Sequence, residues 1–389
     1  MTFFEKNLNF YFSVIGLSVN FFFSSFILVL AAVYGFFEFA AELGVLKAGI
    51  FMICQMLSSN ARSIIISKKS LNRSRYFFNF RTVIGLLIFI IFTILIFIIN
   101  SNYNFLIFIL STLIIIQWIS EIIITEYHTK KKYLEKIIFT FFQIFFVFLT
   151  FLSLHLKNLF FLEIILILYI FFYLIFFYKY FLVFFLKIHK LRIKENIFSY
   201  VNPSLYSSIS LNFTNLTWRL MIINSISKEL SGALFAGFAF ASFIGSFFYN
   251  IVGPILFDKK KTKQILRFLI DYILFFLILS VWFIIYFFQE NLISSNNIDM
   301  FFYDTILISL LGSYFMMKAH YLRFEYFFLK TVNQNIVFRL DIVCSFLIIL
   351  IVPILFLIGE ADALKYSYLA SSFLTFIVFF LRTRINNDS

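Results

Sequence analysis

Five side chains between residues 204 and 219 could do chemistry together. Ser204, Ser208, Asn212, Asn215 and Arg219 follow one another at intervals of 4, 4, 3 and 4 residues, so on a helix they share one face. Hydroxyls and amides exchange hydrogen bonds with a polar ligand, and a guanidinium adds a permanent cation suited to carboxylate or phosphate. The flanking chain is almost wholly apolar, and a charge at bilayer depth is costly unless it has a use. Counted from Tyr200, Arg219 lies about 28 Å along the helix at 1.5 Å per residue. There it either continues the stripe into a cavity or snorkels to the outer headgroups, and the unbroken stripe favours the cavity.

Comparable faces recur. Ser13, Gly16, Asn20 and Ser24 are spaced by 3, 4 and 4 residues, and Ser242, Ser246, Asn250 and Gly253 by 4, 4 and 3. Gln55, Ser59 and Ser63 form a shorter stripe with Arg62 on its flank. Small and polar residues at such intervals also serve close helix contact, and for the 13–24 and 242–253 faces packing is the simpler reading. Arg62 is read equally well as a cytoplasmic anchor. The candidate binding residues are Arg219, Arg62, Asn215, Asn212, Ser208, Asn20, Gln55, Asn250 and Lys318. Glu121, Glu163 and Asp271 fall deep in apolar segments, as candidates for ion pairs or proton-linked coupling, whereas Glu126 and Asp304 read as interfacial.

The elements that position these residues follow from composition. Of 389 residues, 62% are hydrophobic and 13% charged, where a soluble domain would carry about one quarter charged. The expectation is an all-α polytopic membrane protein. The 64 phenylalanines carry no functional message. A span needs about 20 apolar residues, and twelve such segments are expected, at 9–36, 39–66, 82–100, 104–126, 136–156, 159–186, 200–224, 230–257, 267–289, 301–328, 332–358 and 362–381. The first is too long for the core of a cleaved signal peptide.

Basic residues cluster after alternate spans. Examples are Lys68, Lys69, Arg73, Arg75 and Arg81 after the second span, Lys130 to Lys132 after the fourth, and Lys259 to Lys261 after the eighth. The intervening loops carry acids such as Glu290, Asp299 and Glu360, so both termini are expected in the cytoplasm. The net charge of +13 is then mostly topology. It also suits anionic headgroups of membrane lipids, and loops this short leave no room for nucleic-acid binding.

Catalytic signatures are missing from the sequence. There is no phosphate loop and no dinucleotide fingerprint, so neither a cofactor nor a primary pump is expected. Cys54 and Cys344 lie in apolar segments without metal-ligand spacing, and His128, His155, His189 and His320 are scattered. The sequons at Asn212 and Asn215 lie inside a span and are chance matches. Transport coupled to a gradient remains.

The chain also repeats itself. "ELGVLKAGIFMICQMLSSNARSIIISKKS" from Glu42 and "ELSGALFAGFAFASFIGSFFYNIVGPILFDKKK" from Glu229 share Glu-Leu, a later Ala-Gly, a small or polar face and a basic run. "EIIITEYHTKKKYLEKIIF" from Glu121 pairs in the same way with "HYLRFEYFFLKTVNQNIVF" from His320. Two matches in the same order indicate two six-span lobes, 1–190 and 191–389, a common transporter plan.

That layout resembles the polysaccharide and O-antigen flippases of the multidrug/oligosaccharidyl-lipid/polysaccharide (MOP) exporter superfamily. The likeness in residues rests on "NLTWRLMIINSISKELSGALFAGFAFASFIGSFFYNIVGPIL" and on the segment from Glu42. The resemblance implies a lipid-linked oligosaccharide with an anionic pyrophosphate, moved across a bacterial inner membrane with its tail in the bilayer between the lobes. It also implies polysaccharide polymerase or assembly proteins as partners. Ser, Asn, Tyr and Trp suit the sugars, and Arg219, Arg62 and Lys318 suit the pyrophosphate. Two rivals stand beside it. A MATE-like drug or small-solute exporter of the same fold would favour acidic cavity residues. A membrane polymerase or acyltransferase would need a long extracytoplasmic loop or a catalytic His/Asp/Arg cluster, and neither is visible.

Overall fold

The computed structural model describes residues 16, 19–20, 22–56, 71–98, 103–129, 133–187, 203–247, 275, 278–279, 281–283, 297–329 and 334–385. All described elements are helices. In chain order they are α1 (Phe22–Val33), α2 (Phe37–Met56), α3 (Leu71–Ile98), α4 (Asn104–Thr129), α5 (Tyr133–His155), α6 (Leu159–Phe176), α7 (Tyr178–Lys187), α8 (Pro203–Ser225), α9 (Lys228–Phe247), α10 (Asn297–Leu329), α11 (Gln334–Leu364) and α12 (Ser367–Ile385). Six of these, α3 to α6 with α10 and α11, are long and apolar enough to cross a membrane. The expected ninth span falls almost wholly outside the described residues.

The chain forms two compact units. One comprises Met1–Ile27 with Leu46–Asn212, the other Leu28–Val45 with Phe213–Ser389. The boundaries fall inside α1, α2 and α8. In the first unit α4 is the hub, packing on α3, α5 and α6, with α7 against α6. Its residues Leu110, Leu113, Trp118 and Ile122 are buried, while α3 and α5 turn Leu87, Ile90, Phe141 and Phe148 outward. Exposed apolar faces of this kind are what lipid-facing helices need. In the second unit α10 is the hub, packing on α9, α11 and α12.

The abundant phenylalanine has a structural use at the α5–α6 seam. Phe139 packs on Phe172, Tyr173, Phe176 and Phe177 with ring centroids 5.2–5.7 Å apart, and Phe146 stacks on Tyr169 at 4.5 Å. Such ring pairs add to the burial of their area.

The helix ends are set by local chemistry. At the α1–α2 turn Gly35 has φ +86°, Phe36 N–H donates to the Ala31 carbonyl, and Gly35 N–H donates to that of Ala32. This Schellman ending favours glycine at the left-handed position. The α5–α6 turn repeats it with Lys157 at φ 52°, Asn158 N–H bonding Ser153 O and Lys157 N–H bonding Leu154 O. Asn158 then caps α6, its Oδ1 accepting from Phe161 N–H at 2.9 Å.

Several expected bounds are corrected. The third span begins at Leu71 rather than 82, which moves Arg81 from a basic loop into the helix. The sixth span is not one helix over 159–186: it breaks at Phe177 into α6 and α7. The eleventh keeps its expected end at 358: Gly359 and Glu360 leave helical angles there, and a short further helical piece to Leu364 follows the kink.

Candidate functional site

Helix α8 carries the stripe of residues 204, 208, 212, 215 and 219. Thr214, Trp218 and Ile222, spaced by one turn, form its buried face. Along the stripe Asn212 is half-buried and Asn215 exposed. Arg219 is 7% exposed. Its Nη1 donates to the main-chain carbonyl of Gly44 on α2, and the guanidinium lies over the Phe235 ring of α9 at 5.3 Å. Its Nε has no hydrogen-bond partner among the described residues.

Two glycines make this contact possible. A Cβ on Gly44 would stand 2.6 Å from Phe235 Cδ2 and 3.2 Å from Arg219 Nη1. A Cβ on Gly232 of α9 would strike the Phe37 carbonyl of α2. The α2 and α9 backbones therefore touch at one point and admit Phe235 and Arg219 at the other. At the same end Lys228 Nζ lies 3.5 Å from Glu42 Oε1, with the lysine well exposed. Such a pair contributes little.

The first unit holds an uncharged polar network. Asn20 Nδ2 donates to the Gln117 carbonyl at 3.3 Å, and Tyr173 OH donates to Asn20 Oδ1 at 2.7 Å. Gln143 Nε2 donates to the Tyr173 hydroxyl at 3.2 Å, and Tyr169 OH lies 3.4 Å from it. Gln117 Nε2 and Gln143 Oε1 are buried without a partner among the described residues. Asn20 is buried, and both polar atoms of its side chain are engaged in this network. Replacing Tyr173 with Phe leaves Asn20 Oδ1 and Gln143 Nε2 short of a partner, an expected loss of about 1–3 kcal/mol. Thermal unfolding in detergent micelles reads it, and an unchanged Tm would deny the network a structural role.

Each unit also holds an ion pair, buried in the first and partly buried in the second. Arg81 Nη1 lies 2.7 Å from Glu121 Oε2, donates to the Trp118 carbonyl at 2.6 Å, and stacks over the Trp118 ring at 4.9 Å. Arg323 Nη2 lies 2.7 Å from Asp341 Oδ2. Glu126, expected at an interface, is buried and accepts from Ser74 Oγ at 2.8 Å and Tyr180 OH at 3.4 Å.

The remaining candidates scatter. Lys318 sits on α10 with its ammonium 5.6 Å from the Tyr314 ring. Glu163 is partly exposed in the second turn of α6, nearer the helix end than its expected depth. Gln55 and Ser208 lie on α2 and α8, but their side chains are outside what the structure describes, and Arg62, Asn250 and Asp271 are outside the described residues altogether. The sequence reading missed Arg81, Gln117, Gln143, Tyr169 and Tyr173. The signal for them was the i, i+4 pairing of Gln117 with Glu121 and of Tyr169 with Tyr173 inside apolar helices.

No protein-family model matches the chain, and no curated protein matches it. Solved structures do match. A multidrug resistance MATE family transporter of the MOP superfamily, in an inward-facing conformation, aligns with a TM-score of 0.60 at 12% identity, over 96% of this chain and 98% of that one. A MOP superfamily transporter from Pyrococcus furiosus, described as having a binding pocket of reversed polarity that suggests a different function, gives 0.56 at 12% identity over 97% and 94%. A MATE protein in the straight conformation gives 0.52 at 14% identity over 97% and 94%. At such identities the likeness is one of fold. This chain is a multi-pass helical membrane protein with the fold of the MATE transporters of the MOP superfamily.

Proposed function

We propose that the chain is a flippase. It carries an undecaprenyl-pyrophosphate-linked oligosaccharide, an O-antigen or other surface-polysaccharide unit, across a bacterial inner membrane by alternating access. Lobes 1–190 and 191–389, twelve spans and cytoplasmic termini belong to the same reading. The fold of the neighbours supports transport over catalysis, and the placing of α4 and α10 as matching hubs supports the duplication.

The observation that carries the cargo class is Arg219. It is a buried guanidinium facing a neutral carbonyl and a ring, with no carboxylate partner among the described residues. A cation kept at that cost suits an anionic ligand such as pyrophosphate. Asn215 and Asn212, on the same stripe, offer amides to the sugars.

The test is complementation. Arg219→Ala, produced at normal level in a strain lacking its own flippase, is expected to lose most of its surface-polysaccharide output. Normal output would remove Arg219 from the mechanism. The second reading, a small-solute exporter, is favoured by the multidrug description of one structural neighbour. It predicts altered resistance to cationic drugs with unchanged glycans, and acids where Arg219 now stands.

A further inference from the structure

Among the described arginines, Arg219 differs from Arg81, the other buried one, and from the partly buried Arg323. Arg81 and Arg323 each hold a carboxylate at 2.7 Å. Arg219 holds the carbonyl of Gly44, which lies inside α2. An interior helix carbonyl already accepts from the amide four residues on, so α2 keeps its own ladder when the guanidinium leaves. Two other contacts between α2 and α9 lie beside it. The Gly232–Phe37 contact is backbone against backbone, and the Lys228–Glu42 pair is exposed. Arg219 ties α8 to α2 across this contact, and it does so with the weaker of the two acceptor types available to an arginine.

We propose that Arg219 is a ligand-released latch: it holds α8 to α2 through the Gly44 carbonyl, and a phosphate-type anion draws it away and frees the 28–45 hairpin. The inference rests on the anion reading of Arg219 given above and adds how that anion acts. Charge-assisted bonds from Arg to phosphate are roughly twice as strong as those to neutral acceptors, so the exchange favours the ligand. Asn215, exposed one turn earlier on the same face, meets the anion before Arg219 does. The loop charges assign this end of the helices to the outer side of the membrane.

The experiment uses the full chain with Cys54 and Cys344 replaced by Ser and spin labels at Glu42→Cys and Lys228→Cys, whose native side chains lie 3.5 Å apart. In phosphatidylcholine nanodiscs a short interlabel distance is expected. Farnesyl pyrophosphate should lower the short-to-long ratio by about tenfold, the worth of one charge-assisted bond. Arg219→Ala should show the long distance without ligand and no response to it, and Arg219→Lys should recover part of both. Inorganic pyrophosphate and phosphatidylglycerol nanodiscs identify the anion's source: a response to the first assigns a free phosphate, to the second a headgroup, and to farnesyl pyrophosphate alone a lipid-linked one. A distance unmoved by all three, or Arg219→Ala that stays closed and still responds, overturns the latch. Loss of glycan output in Arg219→Ala with an unmoved distance leaves the flippase reading standing without the latch. A moved distance with normal glycans does the reverse.

Discussion

Replacing Arg81 with methionine is expected to cost about 3–5 kcal/mol of stability, because it strands a carboxylate in an apolar interior. Arg81 is only 2% exposed, and Glu121, with its side chain 11% exposed, sits 2.7 Å away. Removing the guanidinium also deletes the bond to the Trp118 carbonyl and the ring contact, but those losses are smaller. Arg81→Met should therefore unfold in detergent micelles far below the parent chain, and Arg81→Met with Glu121→Leu should recover most of the difference. A double variant as unstable as the single would assign the effect to lost packing and not to charge.

A second large effect is expected at Gly232. Any side chain there meets the Phe37 carbonyl and stands 3.1 Å from Ala41 N, and both are backbone atoms that cannot rotate aside. Gly232→Val should push α9 off α2 at a cost of at least about 1–3 kcal/mol, the range for overpacking. Gly49→Ala is the matched control. Its Cβ would meet Phe92 Cζ at an ordinary 3.6 Å, so it should leave the midpoint of unfolding nearly unchanged. If Gly232→Val were as well tolerated, the close crossing of α2 and α9 would be wrong.

The six long apolar helices were legible in the sequence because apolar runs of bilayer length admit few alternatives. Their ends were less so, for physical reasons. Arg81 follows Arg73 and Arg75, and a basic run after a span reads as a loop. Only a partner 40 residues on, Glu121, turns it into a core residue. The break at Phe177 lies in a run of apolar residues without Gly or Pro, so no local signal marks it. The Lys157 turn hides likewise, because a lysine in the left-handed region has no sequence signature. At Arg219 spacing gave the helix face but not the acceptor. A main-chain carbonyl 175 residues away in sequence lies beyond the reach of local pattern.

The Arg81–Glu121 and Arg323–Asp341 pairs share an order along the chain. Arg81 on α3 is followed by Glu121 on α4, and Arg323 on α10 by Asp341 on α11. Each pair joins consecutive helices. During synthesis each helical hairpin can therefore enter the bilayer with these two charges already neutralised, and neither waits in lipid for a helix made much later. Arg219 has no carboxylate companion among the described residues: within the α8–α9 hairpin it meets the Phe235 ring, and its acceptor, Gly44, lies on α2, made much earlier. The α8–α9 hairpin must accordingly be inserted with its cation uncompensated. This makes it the segment whose integration should depend most on an insertase and on α1 and α2 being already in place.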